Sequence, residues 1–128
     1  MIPEILAILI TFLEILTVTT TEIHEIPEKY MKEPELMRVT CYTWTGNKTA
    51  SGCYPYEGIC ASNEENLGKV AIVYDKDMVL IDIYEIKDTG SAERLQNGTS
   101  IDIYFDTLED CENFIQQHGD YQYVRIID

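Results

Sequence analysis

In the segment SIDIYF, residues 100–105, apolar and polar positions alternate: Ile101, Ile103 and Phe105 share one side, Asp102, Tyr104 and then Asp106 the other. A period of two is the mark of a half-buried strand, because successive side chains point to opposite faces. The same signature, rich in β-branched and aromatic residues, recurs in MRVTCYTWT (37–45), VAIVY (70–74), MVLIDIYEIK (78–87) and YQYVRII (121–127). The second and third of these are joined by Asp75-Lys76-Asp77, a hairpin-length connection. In TLEDCENFIQQHG the period changes: Leu108, Cys111, Phe114 and Ile115 fall at helical spacing, and Gly119 ends the run. Many short strands and one helix predict a mainly β domain over 37–128, a small barrel rather than a layered α/β fold. No internal repeat is visible.

The N-terminal third follows another rule. IPEILAILITFLEILTV is the most apolar part of the chain, and its unbroken core ILAILITFL lies between Glu4 and Glu14. A membrane span needs about 20 apolar residues and a signal-peptide core roughly 7–15, so the length suits the latter. Yet Glu4 stands where a basic leader is expected, and TVTTTE is a poor cleavage site. Residues 1–18 therefore read as an apolar helix: a non-cleaved membrane anchor or degenerate signal, or an amphipathic helix lying on a surface. Residues 19–36 are polar, interrupted by Pro27 and Pro34, and read as a tether with too little apolar surface to offset its ordering entropy.

Charge narrows the partners. The chain of 128 residues carries a formal net charge of -14. The acidity is spread: residues 36–128 alone hold sixteen acids against seven bases. Such a field repels a phosphate backbone, so nucleic acid is not an expected partner. Cys41, Cys53, Cys60 and Cys111 allow two readings. One is a pair of disulfides, with Cys53–Cys60 across the CYPYEGIC turn and Cys41–Cys111 left over; the other is four buried thiols. No cysteine or histidine pair has zinc-ligand spacing, and neither metal nor cofactor is expected.

Three aspartates are the candidate chemistry. Asp102 sits on a rigid strand beside an aromatic ring, a setting that can hold a carboxyl protonated as an acid. Asp102 and Asp106 are four strand residues apart, roughly 13 Å, too far for the paired carboxylates of a glycosidase. Asp88 heads a turn, Asp-Thr-Gly, and is the candidate second acid. Asp106 begins Asp-Thr-Leu-Glu, a capping-box pattern, and is expected to cap the helix.

Three separated stretches, in order, resemble the 3D domain, a family named for its three aspartates. They are Thr40-Cys41-Tyr42-Thr43-Trp44-Thr45-Gly46-Asn47-Lys48-Thr49-Ala50-Ser51-Gly52, then Asp88-Thr89-Gly90-Ser91-Ala92, then Ile101-Asp102-Ile103-Tyr104-Phe105-Asp106. The resemblance covers about residues 37–127. It implies a six-stranded double-psi β-barrel, similar to membrane-bound lytic transglycosylase A, the expansins and the stationary-phase survival or resuscitation factors of Gram-positive bacteria. It also implies cleavage of the β-1,4 bond between N-acetylmuramic acid and N-acetylglucosamine in peptidoglycan, with Asp102 as acid and then base and Asp88 as electrostatic helper. Tyr42, Trp44, Thr45, Thr49, Ser51, Thr89, Gly90 and Tyr104 are implied to line the sugar groove. The implied protein is a monomer at the cell wall, extracytoplasmic, secreted or anchored through residues 2–18, with glycan strands as its partner. Two departures reshape the groove: Ser91 and Glu93 replace the family's second Gly and its Ile, and RLQNGTS lengthens the loop before Asp102. A different class stays open, a non-catalytic wall-binding or prophage accessory domain using the same groove.

Overall fold

Met37 and Val39 are buried while Leu36 and Arg38 between and beside them are exposed, so the alternation of the first strand decides which side chains enter the core. The same parity holds for Ile101 and Ile103, both fully buried. A computed structural model describes residues 27, 28 and 32–128. The apolar helix expected over 1–18 and most of the tether expected over 19–36 lie outside the described residues. One compact unit spans Pro34–Asp128. Among the described residues no helix is long and apolar enough to cross a membrane.

The unit contains strands β1 (Glu35–Tyr42), β2 (Ile59–Ser62), β3 (Val70–Tyr74), β4 (Leu80–Thr89), β5 (Ser100–Tyr104) and β6 (Tyr121–Ile127). They close into a barrel in the order β1-β5-β2-β4-β3-β6. Helix α1 (Glu93–Gln96) is a single turn before β5, and α2 (Leu108–His118) lies between β5 and β6. The protein is thus mainly β, a closed six-stranded barrel. β1 pairs with β5, and β2 with β4, in parallel; the other four pairings are antiparallel. Exchanging β1 with β4, β2 with β5 and β3 with β6 reproduces every pairing and its sense. The two halves of the chain are related by a two-fold pattern of connections that the residue pattern does not display.

Three local features differ from the sequence reading. β2 has no alternation because all four of its residues are buried, and a short strand covered on both faces has no polar side to mark it. The β3–β4 connection runs to Val79: the Asp75 carboxylate accepts from the Asp77 and Val79 amides at 2.8 and 2.9 Å. Met78 takes a left-handed φ of 63° there. The helical turn α1 replaces the expected extended loop, with Leu95 buried beneath it.

α2 closes one end of the core. Its Phe114 meets Phe105 at 5.2 Å between ring centroids, and Cys111 is buried beside it. Gly119 ends the helix at φ 78°, its amide donating to the Ile115 carbonyl at 2.7 Å. All four cysteines are free thiols. The Cys41 thiol donates to that of Cys111 and is pushed up to about 12, first by burial and then by this neighbour. A Cys53–Cys60 bridge is not formed: Cys60 is fully buried in the core, whereas Cys53 turns to the Thr49 and Ser51 hydroxyls.

Candidate active site

Asp102 leaves the barrel core because Ile101 and Ile103 on either side of it enter the core. Parallel pairing sets Thr40 of β1 opposite Asp102, and the Thr40 hydroxyl donates to Asp102 Oδ1 at 2.9 Å. On the other side, antiparallel pairing sets Ala61 of β2 opposite Asp102. Ala61 is also the partner of Asp88 on β4. The two aspartates therefore flank one alanine, two strand spacings or about 10 Å apart at Cα.

Asp88 reaches that face through an irregularity. Cys60 pairs with Ile86 and the next residue, Ala61, pairs with Asp88, so Lys87 is an extra residue in β4. Without this bulge Asp88 would have the parity of Ile86, whose side chain is fully buried in the barrel. Bulges re-aim side chains in this way beside functional sites. Three donors then fix the carboxylate: Tyr42 Oη to Oδ2, and the Ala50 and Thr89 amides to Oδ1, each at 2.9 Å.

The two carboxylates have different surroundings. Burial raises the pKa of Asp102 above the ordinary carboxylate value, and the charge of Asp88 adds to the rise. The Thr40 hydroxyl and the positive charge of Arg94 pull in the opposite direction without cancelling it. Tyr42 is held protonated, by burial first and then by its bond to Asp88. The arrangement combines an acid disposed to keep its proton with a neighbouring acid held rigidly by donors.

The other expected groove residues divide. Tyr42 is half-buried, bonded to Asp88 and packed edge-on to Tyr104 at 5.4 Å, so it positions an acid instead of offering a ring face. Thr49 is buried, its hydroxyl engaged with Ser51 at 2.9 Å and the Cys53 carbonyl at 3.0 Å, and it braces the loop. Ser51 and Thr45 are exposed on that loop, whose Ser51 amide donates to the Lys87 carbonyl at 3.1 Å. Thr89 holds Asp88 through its amide. Gly90 accepts from Gln96 Nε2 at 2.6 Å, and a Cβ there would overlap the Leu95 side chain. The lengthened loop is thereby folded down onto Gly90. Trp44 and Tyr104 line a cavity of about 250 Å³ with Tyr54 and Pro55.

Asp106 is a correction. It is exposed and precedes the cap, and Thr107 accepts from the Asp110 amide at 3.1 Å as the N-cap of α2. The capping pattern sits one residue later than Asp-Thr-Leu-Glu predicts, because Thr107 is the residue with extended φ and ψ at the helix entry. The Asp106 amide instead donates to Glu57 Oε2 at 3.0 Å.

Several contributors escaped the sequence reading. Arg94, bonded to the Ser100 hydroxyl at 3.2 Å, brings positive charge to Asp102. Its signal was a base inside the loop between the two acids. Tyr54 and Pro55 were signalled only by the run Tyr-Pro-Tyr after Cys53. Ala61 had no signal. Among the described residues no group of three or more His, Cys, Asp or Glu side chains could hold a metal ion.

The fold and site define a closed six-stranded β-barrel protein with two half-buried aspartates paired to either side of one strand residue, Ala61. The chain is 35% identical to a Bacillus subtilis protein called B-enzyme, aligned over 52% of this chain and 70% of that protein, and it belongs to the family of that protein. No family model matches the chain, and no solved structure matches it.

Proposed function

We propose that this protein is a lytic transglycosylase that cleaves the β-1,4 bond between N-acetylmuramic acid and N-acetylglucosamine in peptidoglycan. The observation that carries the reading is the placement of Asp102 and Asp88 on either side of Ala61, with Asp102 shifted toward its protonated form by burial. Protonated Asp102 donates to the glycosidic oxygen as that bond breaks. The resulting carboxylate takes the proton of the muramyl 6-hydroxyl as that oxygen bonds to the anomeric carbon. The product is a 1,6-anhydro sugar, and no water is consumed. Asp88, fixed by Tyr42, Ala50 and Thr89, stabilises the positive charge that develops on the sugar ring. One residue acts first as acid and then as base, so the pair need not meet the spacing of a two-carboxylate hydrolase.

The two-fold pattern of strand pairings supports the double-psi form of the barrel: Asp88 from β4 and Asp102 from β5 both lie in the second half, and Thr40 and Tyr42 of the first half hold them. The polymer places the work outside the cytoplasmic membrane, with residues 2–18 as leader or anchor. The protein acts as a monomer on glycan strands.

Purified sacculi incubated with wild type and with Asp102→Asn test the reading by mass spectrometry of the soluble products. Wild type is expected to release anhydromuropeptides and the variant at least about 1,000-fold less, the scale of losing acid–base catalysis. Wall binding without soluble product in both proteins would leave a binding domain instead.

A further inference from the structure

Cys41 on β1 and Cys111 on α2 are far apart in the chain and meet at the end of the core that α2 closes. β1 runs parallel to β5 with Cys41 opposite Ile103, and Cys41 packs against the core cluster that contains Ile103. β1 ends there, its Tyr42 carbonyl accepting from the Phe105 amide at 2.9 Å. The chain then passes through Thr107 into α2, where Cys111 and Phe114 fall one turn apart and share a helix face. Phe114 lies against Phe105, and Cys111, only 4% exposed, accepts from the half-buried Cys41 thiol. The other two thiols are placed differently. Cys60 is fully buried in the barrel, and Cys53 sits on its loop against the Thr49 and Ser51 hydroxyls at 3.2 and 3.4 Å.

We propose that Cys41 and Cys111 form a reversible disulfide that staples α2 to β1, made by exchange with a low-molecular-weight disulfide as oxidant. The inference does not rest on the wall-glycan reading. Cys41, the more accessible of the two, gives up its proton and its sulfur attacks one sulfur of the oxidant, releasing one thiol and leaving a mixed disulfide. Cys111 then gives up its proton, attacks the Cys41 sulfur and releases the second thiol. One protein S–S bond forms and the S–S bond of the oxidant breaks. The two cysteines are oxidised, the oxidant is reduced to two thiols, and these carry the two protons. The first step is slow at neutral pH. Burial, then Cys111 and the charge of Asp102, push the Cys41 thiol up to about 12, so little thiolate is present. Cys53 has the opposite setting, because its bonds to the Ser51 and Thr49 hydroxyls lower it. It is therefore the first thiol to take up oxidant, but with no thiol beside it the product there is a mixed disulfide. The staple would close a loop that holds β2 to β5 and both aspartates, and long closed loops gain the most stability. Its β1 anchor lies between Thr40 and Tyr42, the two side chains that hold Asp102 and Asp88.

The full-length protein is incubated with oxidised glutathione at about pH 8.5, where exchange is faster, then alkylated, digested and mapped by mass spectrometry. The expected product is a linked Cys41–Cys111 peptide, with a loss of about 2 Da apart from any glutathione adduct. The melting temperature is expected to rise by at least about 5 °C, and dithiothreitol to reverse both changes. Cys53→Ser is expected to remove the glutathione adduct and to keep the link and the gain in melting temperature. Cys41→Ser, at the half-buried position, is expected to lose both, and its reduced form is melted alongside to show that it folds. If Cys53 is fully adducted and prolonged oxidation still yields no Cys41–Cys111 peptide, the disulfide is overturned. A link through Cys53 or Cys60 instead overturns it equally. A Cys41–Cys111 link that leaves the melting temperature unchanged overturns the staple.

Discussion

Asp102 is the residue at which function and stability oppose each other. Burial raises its pKa, so the folded protein binds this proton more tightly than the unfolded chain, whose aspartate titrates near about 3.9. The stabilising contribution is complete below that ordinary value and is lost as pH rises through the raised one. Above that raised value the partly buried carboxylate, once ionised, is therefore a standing cost that Thr40 and Arg94 reduce but do not remove. Asp102→Asn keeps an oxygen for the Thr40 hydroxyl and carries no charge. We expect it to raise the melting temperature by a few degrees at pH 7, with the difference vanishing near pH 3. Calorimetry at both pH values checks this, and an equal or lower melting point at pH 7 would contradict the burial argument.

At the scale of elements, the entry to α2 and the course of β4 place the site. Thr107 accepts the Asp110 amide that α2 itself leaves unpaired, and Asp106 beside it makes no such bond. Thr107→Ala is expected to cost about 1 kcal/mol, the usual worth of a cap, and Asp106→Ala only a few tenths. Urea unfolding of the two variants decides, since the reverse order would restore the cap to Asp106. The bulge at Lys87 and the folding of α1 onto Gly90 act together on the neighbouring aspartate. One turns Asp88 outward, and the other keeps the long loop pinned, with Gln96 and Leu95 both on Gly90.

The whole molecule joins a closed barrel to a large excess of acid. Closure leaves no strand edge open to pairing with another chain. The excess of sixteen acids over seven bases in residues 36–128 does the opposite of stabilising, because like charges repel across a small unit. The ion pairs Lys69–Asp128 at 3.7 Å and Lys87–Glu85 at 3.9 Å are long and partly exposed, and such pairs contribute little. Screening should then stabilise the fold. The melting temperature is expected to rise by several degrees between about 20 and 200 mM sodium chloride. A flat or falling response would mean that attractive pairs, not net repulsion, dominate.

The residue pattern alone determined the β class, five of the six strands, the helix at 108–118 and the outward direction of Asp102. Each of these follows from alternation or helical spacing within a few neighbouring residues, where side-chain direction is a local consequence of backbone geometry. The resemblance of three short stretches drew attention to Asp88 as well. Only the tertiary structure decided how the site is assembled. β5 inserts between β1 and β2, which sets Thr40 on one side of Asp102 and Ala61 on the other. One extra residue in β4 reverses the parity of Asp88, Tyr42 spends its hydroxyl on that acid, and Tyr54 and Pro55 meet Trp44 and Tyr104. None of these contacts is local. Register between strands far apart in sequence is fixed by closing the whole barrel, and a single-residue slip moves a side chain to the other face.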